Sequence, residues 1–156
     1  MLVPLIAAAA ALTSVNVPDT LGSHLDRAID RSGIPVLVPE TIKTEFKKVY
    51  PSSLTVPEGR YSFTIGASKN CNGASVCGIA NFYAIEGETV QPRGKKVELA
   101  KGRKGRYLKS TCGANCSFPS ISWYDTDVLY TIEYKESQGK RNMVKLANSA
   151  IKAGPR

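Results

Sequence analysis

Histidine is all but missing from this chain: His24 is the only one among 156 residues. A metal site built on two or more imidazoles is therefore excluded, and a Ser-His-Asp relay would have to run through that single residue. No G-x-S-x-G elbow is present to receive it, and His24 sits within an amphipathic helical pattern, so it reads as a structural residue. The phosphate-loop motif is also absent, because "GRKG" at 102–105 lacks the G-x-x-x-x-G-K-[ST] spacing and a helix after it. Cysteine occurs four times and never as C-x-x-C, the spacing of thiol redox couples.

Long apolar runs are scarce as well. Leu2 to Leu12 is the one uninterrupted stretch, too short to cross a bilayer as a helix and of a length that suits the apolar region of a signal peptide. No Lys or Arg precedes it, so either the positive segment lies upstream of Met1 or the run is an alanine-rich helix. The expectation is a leader over residues 1–18 followed by one domain over 19–156, placed outside the cytoplasm. Apolar residues make up 42% of the chain and charged ones 22%, a balance that builds a folded domain rather than a disordered one.

The net charge of +8 is unevenly placed. Through Thr41 only Arg27 and Arg31 stand against Asp19, Asp26, Asp30 and Glu40, so the basic excess lies wholly after that point. It peaks in Arg93 to Lys109, where Arg93, Lys95, Lys96, Lys101, Arg103, Lys104, Arg106 and Lys109 face one acid, Glu98. Placed on a hairpin, Lys101, Arg103 and Lys104 would project together with little to neutralise them. Such a tip suits the anionic groups of a polysaccharide, a lipid surface or an acidic protein. The plainer reading is an edge whose lysines block pairing with other chains. Nucleic acid is disfavoured: Tyr107 is the only aromatic in the run, stacking platforms use several, and export separates the chain from most nucleic acid.

Periodicity predicts an α+β fold in which an antiparallel sheet, a meander of hairpins, packs against an N-terminal and a C-terminal helix. "DTLGSHLDRAIDRSGIP" reads as one short helix with Leu21, Leu25, Ala28 and Ile29 on its apolar face and Ser23 as a possible cap. "PVLVPETI" reads as extended. Strand pairs follow in "RYSFTIGA" with "GIANFYAIEG", "KVELA" with "RYLKS", and "SISWYD" with "VLYTIEYK". Asp125 and Asp127 read as turn formers in the last hairpin, and Trp123, Tyr124, Tyr130 and Tyr134 as core and cross-strand pairs. The final helix carries Met143, Ala147, Ala150 and Ile151 on its apolar stripe and stops at Gly154-Pro155.

Cys71 and Cys77 bracket one loop, and Cys112 and Cys116 another. A zinc or iron–sulfur site on the four thiolates and a thiol redox couple are the sharper readings, using the Cys71/Cys77 and Cys112/Cys116 pairs. Two disulfides are the preferred one, because strands flanking each loop would bring its cysteines together if Thr64 met Ala84 and Gly66 met Phe82. Crossed pairing stays open, since spacing does not fix connectivity. Disulfides would place the protein in an oxidising compartment.

From Val97 to the C-terminus the chain resembles small secreted bacterial proteins of unknown function. Its ending is similar to the uncharacterised domain of anti-sigma-factor-like and LolA/RseB-like envelope proteins: a strand bearing Trp123, a turn, a strand bearing Tyr130, and a helix bearing Leu146-Ala147-Asn148-Ser149. The resemblance implies an envelope protein with a sheet-plus-helix fold, and brings no catalytic residue and no cofactor. A non-catalytic domain that binds an anionic envelope component is the leading expectation, with a thiol or metal protein and a purely structural module as alternatives.

Overall fold

The computed structural model describes residues 11–72, 74–137 and 139–156. Its class is α+β, as the periodicity predicts. The elements are β1 (Thr13–Asn16), α1 (Val17–Leu21), α2 (Ser23–Arg31), β2 (Thr41–Thr44), β3 (Tyr50–Thr55), β4 (Arg60–Gly66), β5 (Gly78–Glu86), β6 (Lys95–Glu98), β7 (Lys104–Leu108), β8 (Ser120–Asp125), β9 (Val128–Tyr134) and α3 (Lys140–Ala153). Seven strands form one antiparallel sheet in the order β3-β4-β5-β9-β8-β7-β6, and β1 and β2 make a separate ribbon. Two meanders thus meet where β5 pairs with β9.

Strand alternation divides the large sheet into two faces. Tyr61, Phe63 and Ile65 on β4, Phe82 and Ala84 on β5, Tyr130 and Ile132 on β9, and Ile121 and Trp123 on β8 line the covered face, all buried. Val17 and Leu21 of α1, Leu25 and Ala28 of α2, and Met143, Leu146, Ala147 and Ile151 of α3 complete that core. The other face carries polar and mixed side chains, as antiparallel sheets with one wet side do.

Of the leader expected over 1–18, residues 1–10 lie outside the described residues, while Thr13–Asn16 pairs with β2 and Val15 and Val17 are buried in the core. The single first helix is two, broken at Gly22, whose φ of +47° favours glycine. Asn16, not Ser23, supplies a cap: its Oδ1 accepts from the Asp19 N–H at 2.9 Å. Ile29 is exposed rather than in the stripe. The β4–β5 register also differs: Thr64 meets Asn81 and Gly66 meets Gly78, with a bulge after Ile65. Both local disulfides are present all the same, Cys71–Cys77 and Cys112–Cys116.

Residues 35–39, expected to be extended, join no strand, although Val36, Leu37 and Val38 are all buried. Buried backbone without a ladder needs other partners; the Arg156 N–H donates to the Val36 carbonyl at 3.1 Å, and tyrosines of the covered face bond Pro35 and Leu37. Tyr61 OH donates to the Leu37 carbonyl and accepts from its N–H, both at 3.1 Å. Tyr130 OH donates to the Pro35 carbonyl at 2.8 Å, and Tyr134 OH bonds both backbone groups of Lys43. Burial pushes the Tyr61, Tyr130 and Tyr134 hydroxyls above the usual phenol range, and burial followed by the Glu133 charge pushes Tyr83 up to about 12.

A pH dependence follows with a definite sign. A phenol whose folded-state value is raised favours the folded protein while it is neutral, so this contribution is complete below the ordinary value of 10.0 and is lost as pH rises beyond it. Alkaline titration should show tyrosinate absorbance from these residues delayed past that value and then arriving together with unfolding. Early, non-cooperative ionisation of all seven tyrosines would contradict this arrangement.

Candidate anion-binding site

The basic run does not project as one tip. Between β6 and β7 a short 3-10 turn, Ala100–Gly102, folds back against α3, where Asn148 Oδ1 accepts the Ala100 N–H at 2.6 Å. Arg103 is drawn inward, with Nε and Nη2 on Asp125 Oδ2 at 3.1 and 2.5 Å. The expected trio of Lys101, Arg103 and Lys104 is therefore broken up: Arg103 is neutralised in a half-buried pair, and Asp125 is its partner as well as the end of β8. Lys101 stays exposed at the turn with φ +56°.

Strand alternation separates the rest. Lys95 pairs in register with Tyr107 and Lys96 with Arg106, so the two neighbouring lysines lie on opposite faces. Arg93 and Lys109 are exposed and lie outside the cluster of Lys96, Lys104 and Arg106.

Lys96, Lys104 and Arg106 converge on the uncovered face of the sheet. They line a hollow of about 370 Å³ with Glu98, Ser122, Tyr124, Gln91 and Pro92. The overhanging wall is the loop after β5, held by Tyr124, whose OH lies 2.7 Å from the Glu88 carbonyl and 2.9 Å from that of Val90. Arg106 Nη1 donates to the Gly94 carbonyl at 3.2 Å, which ties the start of β6 to the same wall. Lys104 Nζ is 4.0 Å from Glu98 Oε1, and both side chains are largely exposed, a contact that contributes little. Among the described residues neither Lys96 nor Arg106 has a carboxylate within ion-pair distance. Two unneutralised cations beside a polar hollow can hold an anion by charge-assisted hydrogen bonds.

Sequence reasoning found the three cations and missed their partners. The sequence pattern reads Tyr124 as a core or cross-strand residue, whereas it faces the uncovered side. Its place one residue after Trp123 carries that signal, since adjacent strand residues point oppositely. Gln91 and Pro92 lie in a loop with no periodicity to place them.

The remaining candidates stand apart. His24 is on α2, where partial burial and then Arg27 hold its imidazole below the usual range. All four cysteines are bridged, so no thiolate is free to act as a nucleophile or ligand. Among the described residues no three His, Cys, Asp or Glu side chains converge as a metal set. No protein-family model, curated protein or solved structure matches this chain.

Proposed function

We propose that the chain is a non-catalytic, extracytoplasmic binding domain that takes an anionic envelope component in the hollow bounded by Lys96, Lys104 and Arg106. The observation that carries this reading is the facing register of Lys96 and Arg106, two cations without acidic partners on the wall of a cavity. Two disulfides accord with an oxidising compartment. No helix among the described residues is long and apolar enough to cross a membrane.

The test separates a site from mere net charge. Lys96→Glu with Arg106→Glu should abolish binding to whichever of polygalacturonate, polyphosphate or phosphatidylglycerol vesicles the native chain retains at low salt. Lys47→Glu with Lys48→Glu changes the net charge equally on exposed residues away from the hollow and should leave most binding intact. Native binding should also weaken as salt is added. Equal losses in the two double variants would sink the reading.

A further inference from the structure

We propose that the uncovered sheet face continues the cationic hollow into a groove for a linear acidic polysaccharide, with hydroxyl recognition centred on Glu133. This rests on the binding reading above and names its ligand class.

Strand register puts Ser62, Tyr83, Thr131, Ser122, Arg106 and Lys96 in one unbroken row across β4, β5, β9, β8, β7 and β6. Ser122 and Thr131 form its floor. They are 8% and 5% exposed and share a hydrogen bond at 2.9 Å, while the larger Tyr83 and Arg106 rise on either side. From β5 to β7 is three strand spacings, ~14 Å. That gap between the two walls is wider than a single small anion needs.

The adjoining row is wired in one direction. Ser53 Oγ bonds Thr64 Oγ1, Thr64 Oγ1 bonds Asn81 Oδ1, and Asn81 Nδ2 donates to Glu133 Oε2, each at 2.8 Å. Tyr83 OH donates to Glu133 Oε1 at 3.3 Å. An ionised carboxylate offers about four acceptor positions, so Glu133 keeps capacity for donors arriving from outside. The Lys96 and Arg106 side of the groove thus calls for anionic groups, and its Glu133 side for hydroxyl donors.

An acidic sugar chain carries both along its length. Polyphosphate brings acceptors alone and would meet Glu133 charge against charge, and a lipid surface is too broad to enter the row between Tyr83 and Arg106.

The experiment measures oligogalacturonate, polyphosphate and phosphatidylglycerol vesicles against the native full-length chain, Glu133→Gln, Tyr83→Phe and the Lys96→Glu/Arg106→Glu pair. Melting temperatures would confirm that each variant folds. Losing a hydrogen bond to a charged acceptor costs about 1.5–3 kcal/mol. Glu133→Gln should therefore weaken oligogalacturonate binding roughly ten-fold or more, while polyphosphate binding holds or tightens because a negative charge has gone. Tyr83→Phe should move oligogalacturonate alone.

If Glu133→Gln leaves or tightens both ligands while the cation variant still loses them, the groove is wrong and the hollow stands. Preference for vesicles or polyphosphate over oligogalacturonate overturns the ligand class. No binding to any of the three removes the underlying reading as well.

Discussion

Phe63→Ala is expected to lower stability by about 3–5 kcal/mol, the usual cost of deleting a buried aromatic ring and leaving its cavity. Phe63 is fully buried on β4. It lies opposite Leu54 of β3 and Phe82 of β5, with the Tyr61 ring 4.9 Å away. Truncation therefore opens a cavity within the covered face, between β3 and β5, that no single neighbour can fill. Against the roughly 5–15 kcal/mol that small domains possess, the loss is a large share. Urea unfolding should show the midpoint falling with an unchanged slope. Phe63→Leu, which refills most of the volume, should recover much of it. A loss below about 1 kcal/mol for Phe63→Ala would mean that the face is far less tightly packed than its burial implies.

Removing both disulfides should cost about 4 kcal/mol, and unequally. Each bridge closes a short loop, with its cysteines six and four residues apart in sequence, worth about 2 kcal/mol apiece on the chain-entropy view. The Cys71–Cys77 bridge is also built into the fold. Cys71 is buried, and the Cys77 carbonyl accepts the Ala67 N–H at 2.8 Å. A Cβ on Gly66 would come within 2.7 Å of Cys71 Cβ, so the loop folds closely onto the end of β4. The loop closed by Cys112–Cys116 is exposed throughout. Cys71→Ala/Cys77→Ala should accordingly lower the melting temperature more than Cys112→Ala/Cys116→Ala, at about 2–4 °C per kcal/mol for a chain of this size. An unchanged midpoint under strong reductant would show that neither bridge supports the fold.

Those two expectations rest on different levels of legibility. The sheet strands from β4 to β9 and the final helix were readable because their apolar residues alternate or recur at helical spacing, and local period reports which side is buried. β1 and β3 were not readable. "TSVN" follows an apolar run that resembles a leader, and "YPSSLT" carries a proline and two serines that propensity assigns to loops. Their strand form comes from partners elsewhere in the chain, β2 for one and β4 for the other. The buried segment 35–39 shows the same limit, since its Pro35 and Leu37 backbone groups bond the hydroxyls of Tyr130 and Tyr61, far off in sequence.

The candidate site follows this division. Composition alone marked a cationic region, and strand alternation alone would have parted Lys95 from Lys96. That Arg103 is neutralised by Asp125, that Asn148 holds the turn, and that Tyr124 hangs a loop over Lys96 and Arg106 all depend on residues from separate hairpins. Side-chain charge and periodicity are properties of neighbouring residues, and so the sequence by itself determined the fold class, the local cysteine pairs as the preferred bridges and the basic character of one hairpin. Which strands lie side by side is decided by how the whole chain buries its apolar surface, and only that tertiary choice brought three of eight basic residues around one hollow and laid a polar row beside them.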